Sequence, residues 1–568
     1  MRISILGWIV VALCSVLHGC ASSDSPQRGR PPNFIVILTD DQGFGDVGIH
    51  GNAEIRTPTL DRFATEGIEL FRFYVEPVCA PTRAALMTGR YHYRSGVIHT
   101  SRGGAKMHGE ENTVAEMLQS AGYRTGLFGK WHLGDNYPMR PTDQGFEEAL
   151  WHKSGGIGQA PDKPNSYFDP WLWRDNAKVS SEGYCTDIFF DGAMDFAERH
   201  REEPFFIYLP TNAPHTPLEV ADSYWKPYAD AGLDETTARV YGMVENIDQN
   251  LERLLDRLDE LGLRDNTVIA VISDNGPQQS RYTADLRGLK GTAYEGGIRA
   301  LSFWQWPDGI EGGRKIDAVA GHIDVAPTLL EWAGIAAPSD RLFDGASLAA
   351  LFRGDPIAER THFSQVHRGL TPKLYQNAAV VAGQYKLLLG PDTFNDEDWS
   401  YNDEPPIELY DLEADPGESH DIADDLPALA EELRGRYEDW FSDVRATRDF
   451  VPGVIQIDSG AEDPVVLSRY QDSTFIDGVP TSWSIAVVEA GQYELQVETA
   501  GDTSATTIHI DISGKRQELP LLAGSRSVVV DLPAGPAELD VWVQTPGTER
   551  RIPADNSTLG DVTISRVR

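Results

Sequence analysis

Three short stretches limit most strongly what this chain can fold into: NFIVILTDD at 33–41, PFFIYLPT at 204–211 and NTVIAVISDNG at 266–276. Each is a nearly continuous apolar run rather than an alternating one, the mark of a strand buried on both faces. Helical patterns lie between them. ENTVAEMLQSAGY reads as an amphipathic helix followed by strand and loop in RTGLFGKWH. The segment VYGMVENIDQNLERLLDRLDELGL places Val244, Ile247, Leu251, Leu254, Leu258 and Leu261 at helical spacing. Such alternation predicts an α/β fold for residues 33–340, with a mostly parallel central sheet sandwiched by helices. In sheets of this kind ligands gather at the carboxyl ends of the strands. Asp40 with Asp41, and Asp274 with Asn275, stand at two such ends.

The rest of the chain changes character. Residues 341–450 carry QYKLLLG and IELYDLEADPGESHDIADD before a charged helix, LPALAEELRGRYEDWFSDV, which predicts a small antiparallel subdomain. Residues 455–568 alternate apolar and polar in GQYELQVETA, TTIHIDIS, SRSVVVDL and AELDVWVQT, with turn residues between, which predicts an all-β sandwich. Trp483, Tyr493 and Trp542 in that sandwich could stack on sugar rings, giving a carbohydrate-binding module. The plainer reading makes them core residues.

The first 20 residues, MRISILGWIVVALCSVLHGC, read as an export signal: one Arg, a short apolar run, then a small residue before Cys20. Leu17-His18-Gly19-Cys20 also resembles a bacterial lipobox, in which the cysteine is lipidated after cleavage. Residues 21–32 then form a flexible tether. The expected location is outside the cytoplasm of a bacterium, either periplasmic or anchored at the outer membrane and cell surface. The only membrane contact expected is through that lipid. The formal charge of −38 argues against nucleic acid as a partner, because phosphates would be repelled.

The chain has four cysteines, Cys14, Cys20, Cys79 and Cys185, too few and too scattered for a disulfide framework. Cys185 reads as a small buried hydrophobe. Cys79 stands in CAPTRAALMTGR, at the start of a small-residue helical stretch whose N-terminus favours negative charge. Asp40, Asp41, Asp274 and Asn275 are hard oxygen ligands suited to Ca²⁺ or Mg²⁺ rather than zinc, although any one of these Asp residues after a strand could be a turn or cap residue. Arg83, Lys130 and Lys290 are cations of the kind that hold an anionic group. His132 and His215 fall in Gly- or Pro-rich loops after strands. His92, His99, His108 and His322 have less distinctive settings and read as structural or surface residues.

Five segments, NFIVILTDDQGFGDVG, CAPTRAALMTGR, YRTGLFGKWHLG, NAPHTP and SDNGP…LRGLKGTAYEGGIR, occur in one order over residues 33–335. Together they resemble the formylglycine-dependent type I sulfatases of the alkaline phosphatase superfamily, arylsulfatase-like enzymes, with a weaker likeness to about residue 445. Thr82 stands where serine is commoner in the family. The resemblance implies a sulfuric ester hydrolase whose Cys79 is oxidised to Cα-formylglycine by a formylglycine-generating or an anaerobic sulfatase-maturating enzyme. It implies calcium, with magnesium as the alternative, held by Asp40, Asp41, Asp274, Asn275 and the modified Cys79. A hydroxyl of the hydrated aldehyde attacks sulfur while Arg83, Lys130 and Lys290 clamp oxygens. His215, with Lys290, protonates the departing alcohol, and His132 takes a proton so that sulfate is expelled.

The expected substrate is a sulfated sugar or polysaccharide fragment. Two other readings remain at this level: a phosphodiesterase or phosphonate monoester hydrolase of the same superfamily, and an inactive glycan-binding lipoprotein.

Overall fold

The computed structural model describes residues 30–567 apart from 370, 397–398, 401–404, 477–478, 500–506, 521–523 and 545–558. The signal peptide, Cys20 and nearly all of the tether lie outside the described residues.

The three apolar runs form adjacent strands. Among the described residues the central sheet has ten strands. Its middle is parallel: Thr267–Ser273, Asn33–Thr39, Phe205–Pro210, Arg124–Lys130 and Glu148–His152, side by side in that order. The margins are mixed. Ser302–Gln305 joins one side antiparallel and carries Ile68–Leu70 and Arg314–Ile316 beyond it. Trp171–Arg174 and Ala177–Ser180 extend the other side as an antiparallel pair. The parallel core expected from the apolar runs is therefore present, and the shorter marginal strands make the whole sheet mixed.

Continuous apolarity has a direct cause. Ile35 and Ile37 pack into the core on one face of the sheet, and Phe34, Val36 and Leu38 into the core on the other. Successive side chains point to opposite faces, and both faces are covered. The helix Glu235–Glu260 covers one face, burying Val244, Ile247, Leu251, Leu254 and Leu258. Asp234 caps it, its side chain accepting from the Thr237 N–H at 3.1 Å. Val114–Ser120, with a Thr113–Glu116 capping box, packs on the opposite side.

The four strands Thr361–Gln365, Ala378–Ala382, Tyr385–Leu389 and Ile407–Asp411 form an antiparallel sheet, against which the helix Pro427–Arg448 packs. From Ile455 onward two further sheets enclose their own apolar core. Trp483, Tyr493 and Trp542 are all buried in this sandwich. The Trp483 indole donates to the Ser468 carbonyl at 3.2 Å, and Trp542 stacks on His509. Trp483 and Tyr493 belong to the sandwich core, whereas Trp542, out of phase with the inward-facing Val541 and Val543, packs on the other face of its sheet against His509 and Arg516.

Candidate active site

The two acidic pairs meet because of strand register. Thr39 is level with Ser273 in the parallel ladder, so Asp40 and Asp274 leave the sheet side by side. Backbone bonds fix both exits: the Asp274 N–H donates to the Thr39 carbonyl at 3.0 Å and the Asp40 N–H to the Ala213 carbonyl at 3.2 Å. Asp41 turns at a positive φ of 66°. Asn275 donates to its Oδ1 at 2.8 Å, and the Asp41 N–H donates to Asp274 Oδ1 at 3.2 Å.

Cys79 is the first residue of the helix Cys79–Thr88 and is buried. One turn later Arg83 places Nη2 at 2.7 Å and Nε at 3.1 Å from Asp274 Oδ2, and donates from Nη1 to the Lys130 carbonyl at 3.0 Å. Lys130 ends its strand with Nζ 2.6 Å from Asp40 Oδ2. The residue before it must be glycine: at Gly129, with φ of 135°, a Cβ would lie 1.8 Å from the Pro210 carbonyl oxygen. Lys290 is hydrogen-bonded to Asp41 Oδ1. Each of the three carboxylates is thus paired with one of the three cations.

Within this cluster of acidic and amide side chains three buried oxygens have no donor: Asp40 Oδ1, Asp41 Oδ2 and Asn275 Oδ1. Buried acceptors are rarely left unpaired, and here all three belong to the four residues singled out as metal ligands. Oxygens of Asp40 and Asp274 and the Cys79 sulfur lie within 4.8 Å of one another, as do oxygens of Asp40 and Asp41 with a His215 nitrogen. The donor set is hard oxygen and fits a divalent cation of the Ca²⁺ or Mg²⁺ kind.

The two histidines have opposite anchors. His132, at a positive φ of 61°, lies with Nε2 2.8 Å from the Thr100 carbonyl. A carbonyl only accepts, so Nε2 carries the hydrogen, and the lone pair of Nδ1 faces Cys79 Sγ at 3.4 Å. His215 bonds the Thr216 carbonyl through Nδ1 at 2.7 Å, leaving Nε2 3.8 Å from Asp41. Burial holds His132 well below the usual imidazole range and His215 down to about 3. Burial also pushes the Cys79 thiol up, although Lys130 and Lys290 pull it the other way. Burial acts likewise on Asp41, but Lys290 and His215 outweigh it and hold that carboxyl well below the ordinary range. Burial and the Asp40 charge raise Asp274 to about 6.

All ten residues singled out in the sequence converge on this site, in two layers. Cys79, His132, His215 and Lys290 line a cavity of about 370 Å³. Asp40, Asp41, Arg83, Lys130, Asp274 and Asn275 are buried behind them. The cavity wall also includes Thr100, Gln159, Arg368, Asn395 and Tyr470, none of which the sequence pattern had marked. Gly155 is required where the wall meets His132, because a Cβ there would lie 2.7 Å from the imidazole Nε2. A larger cavity of about 630 Å³, lined by Phe44, Phe71, Arg299, Lys315 and others, contains none of the ten.

The sulfatase family model matches residues 32–335, and the model of the N-sulphoglucosamine sulphohydrolase C-terminal region matches residues 289–440. The chain belongs to the sulfatase family. It is a type I sulfatase of the alkaline phosphatase superfamily and hence a sulfuric ester hydrolase. It is 32% identical over 422 residues to N-acetylgalactosamine-6-sulfatase of Canis lupus familiaris, covering 67% of this chain and 75% of the relative. Arylsulfatase A of Homo sapiens is 30% identical over 449 residues, covering 69% of this sulfatase and 83% of that one. Among solved structures, Ps i-CgsB in complex with k-i-k-neocarrahexaose matches with a TM-score of 0.65 and 28% identity, covering 72% of this chain and 93% of that one.

Proposed function

We propose that this sulfatase removes sulfate from a sulfated carbohydrate, using Cys79 matured to formylglycine and a divalent cation, calcium or magnesium, at Asp40, Asp41, Asp274 and Asn275. The observation that carries the site assignment is the set of three unpaired buried oxygens on Asp40, Asp41 and Asn275, beside a cysteine that begins a helix. A cation held there would act as a Lewis acid toward the sulfate group, and a hydrated aldehyde at position 79 would supply the attacking oxygen.

The chain's own groups divide the remaining work. Arg83 and Lys130 hold the Asp274 and Asp40 carboxylates in place from behind. Lys290 and Arg368 stand in the cavity wall and meet the anionic group. His132 presents a basic Nδ1 to the side chain at position 79 and takes its proton. Lys290 is the cation in the same space that holds a proton for the departing alcohol oxygen, and His215, whose ring hydrogen is tied to the Thr216 carbonyl, presents Nε2 there as an acceptor. The helix that begins at residue 79 directs its N-terminal N–H groups toward developing negative charge.

Carbohydrate as the substrate class is supported by the activity named for the relatives above and by the oligosaccharide bound in the structural neighbour. Maturation would require a formylglycine-generating or anaerobic sulfatase-maturating enzyme. We place the mature enzyme outside the cytoplasm, either periplasmic or anchored at the cell surface through a lipid on Cys20.

The test has two parts. Mass spectrometry of the peptide containing residue 79 should show an aldehyde in place of the thiol. Desulfation should then be assayed on a panel of sulfated mono- and oligosaccharides, beside 4-nitrophenyl sulfate and bis-4-nitrophenyl phosphate. Full activity with an unmodified Cys79, or a strong preference for the phosphate diester, would overturn the proposal.

A further inference from the structure

We propose that the C-terminal β-sandwich forms part of the substrate cleft, and that the cavity beside the catalytic one is a subsite for a neutral sugar ring adjoining the sulfated unit. This rests on the carbohydrate reading above and extends it to the shape of the substrate.

The sandwich reaches the site through the loop 468–473. The loop is closed on itself: Asp472 accepts from the Ser468 N–H at 2.9 Å and returns its own N–H to the Ser468 carbonyl at 3.0 Å. It is also clamped to the catalytic domain. The Arg102 and Gly103 N–H groups donate to the Tyr470 and Gln471 carbonyls at 3.2 and 2.9 Å. Lys106 Nζ donates to the Asp472 carbonyl at 3.1 Å. The Gln471 amide donates at 3.1 Å to the Thr100 carbonyl, the same atom that fixes the His132 tautomer. The loop therefore has a defined position relative to the reacting residues.

Between these anchors Tyr470 stays 39% exposed and lines the catalytic cavity. It also lines an adjoining cavity of about 460 Å³, and Gln159 lies in the wall of both. Each cavity falls in the range of about 300–1,000 Å³ typical of small-ligand sites. The two differ in charge. The catalytic wall carries Lys290 and Arg368 and no carboxylate among its described residues. The adjoining wall carries Lys163 and Arg469 balanced by Glu498 and Asp561. Sulfate belongs in the first, where the potential is positive. Carboxylates in the second would repel another sulfate but accept hydrogen bonds from sugar hydroxyls. A tyrosine face at the passage between them is a platform for the apolar face of a pyranose. Glu498 and Asp561 come from sandwich strands and Lys163 from the catalytic domain, so the second cavity exists only where the two meet.

The experiment compares kcat/KM for the shortest sulfated sugar hydrolysed in the panel with that for homologues extended by one neutral ring at either end. For the wild type, one extension should raise kcat/KM about tenfold, the order of a single aromatic contact. Tyr470→Ala and Glu498→Ala should remove that gain, and Tyr470→Phe should retain it, with melting temperatures reporting that each variant is folded. A wild type that gains nothing from an added ring, or a gain that survives in Tyr470→Ala, would overturn the subsite while leaving the carbohydrate reading intact. Hydrolysis of 4-nitrophenyl sulfate but of no sulfated sugar would remove the carbohydrate reading and the subsite with it.

Discussion

The basic nitrogen of His132 lies 3.4 Å from the sulfur of Cys79, while the other ring nitrogen is tied to the Thr100 carbonyl at 2.8 Å. A side chain locked in one tautomer and aimed at the proposed nucleophile position is poised for proton transfer. Replacing His132 with Gln keeps a polar side chain of similar reach but removes the base. We expect kcat to fall by about 10²–10⁴, the range for loss of a general base, with little change in melting temperature. Steady-state kinetics on 4-nitrophenyl sulfate read this out. A loss below about threefold would mean that the proton leaves by another route.

The unpaired oxygens of Asp40, Asp41 and Asn275 make a second outcome calculable. A cation bound to the folded state and absent from the unfolded one stabilises by about 2.7 kcal/mol when present at 100 times its dissociation constant. Exhaustive chelation should therefore lower the melting temperature as well as abolish activity, and calcium should restore both. Asn275→Ala removes one of the three oxygens. It should raise the calcium concentration for half-restoration by no less than the about 10–100-fold that loss of an outer-sphere partner costs. Unchanged melting and activity after chelation would rule out the site.

Much of this arrangement is legible in the amino-acid sequence, and the reason is physical. A strand buried on both faces cannot alternate, so Phe34–Leu38 and Val268–Ile272 announce themselves as continuous apolar runs, and the polar residues that follow mark the strand ends. Once two parallel strands are level, Asp40 and Asp274 must be neighbours. What the sequence did not separate is depth. Arg83, Lys130 and Lys290 look alike as cations that could clamp an anion, yet only Lys290 is in the cavity wall. Gln159, Arg368 and Tyr470 escaped notice because each comes from a loop without periodicity and meets the others only through tertiary packing. Tyr470 belongs to a sandwich whose more conspicuous aromatics, Trp483 and Trp542, are buried, the first of them in its core.

The depth of Arg83 gives a third expectation. Its guanidinium donates through two nitrogens to Asp274 and through a third to the Lys130 carbonyl, with no exposure to solvent. Lysine keeps the charge but cannot reproduce that fork. Arg83→Met leaves Asp274 buried without its partner, which costs about 3–5 kcal/mol. Arg83→Lys should lie between Met and wild type in urea denaturation, and both variants should lose activity. Wild-type stability in Arg83→Met would show that Asp274 is neutral in the resting protein.

Glu76, three residues before Cys79, carries the last prediction. It is buried, accepting from the Ser364 hydroxyl at 2.8 Å and the Gln365 N–H at 3.0 Å, with His92 at 3.7 Å and His322 at 3.8 Å from its other oxygen. Burial pushes its carboxyl from an ordinary 4.5 up to about 8, the two donors opposing that only in part. The folded state therefore holds a proton that the unfolded state releases between those values. Stability from this group is fully present below 4.5 and is lost as pH rises toward 8, at no more than about 1.4 kcal/mol per pH unit. His92 and His322 act in the opposite sense and lower down: burial depresses them to about 4 and about 3, so their contribution is lost as pH falls through the acid range. Glu76→Gln cannot ionise and still accepts from Ser364. Between pH 5 and 8 its melting temperature should decline less steeply than that of the wild type. Every other titrating group is common to both proteins, so the difference in slope isolates Glu76. Parallel slopes would mean that Glu76 is already ionised in the folded protein, paired with a protonated His92 or His322.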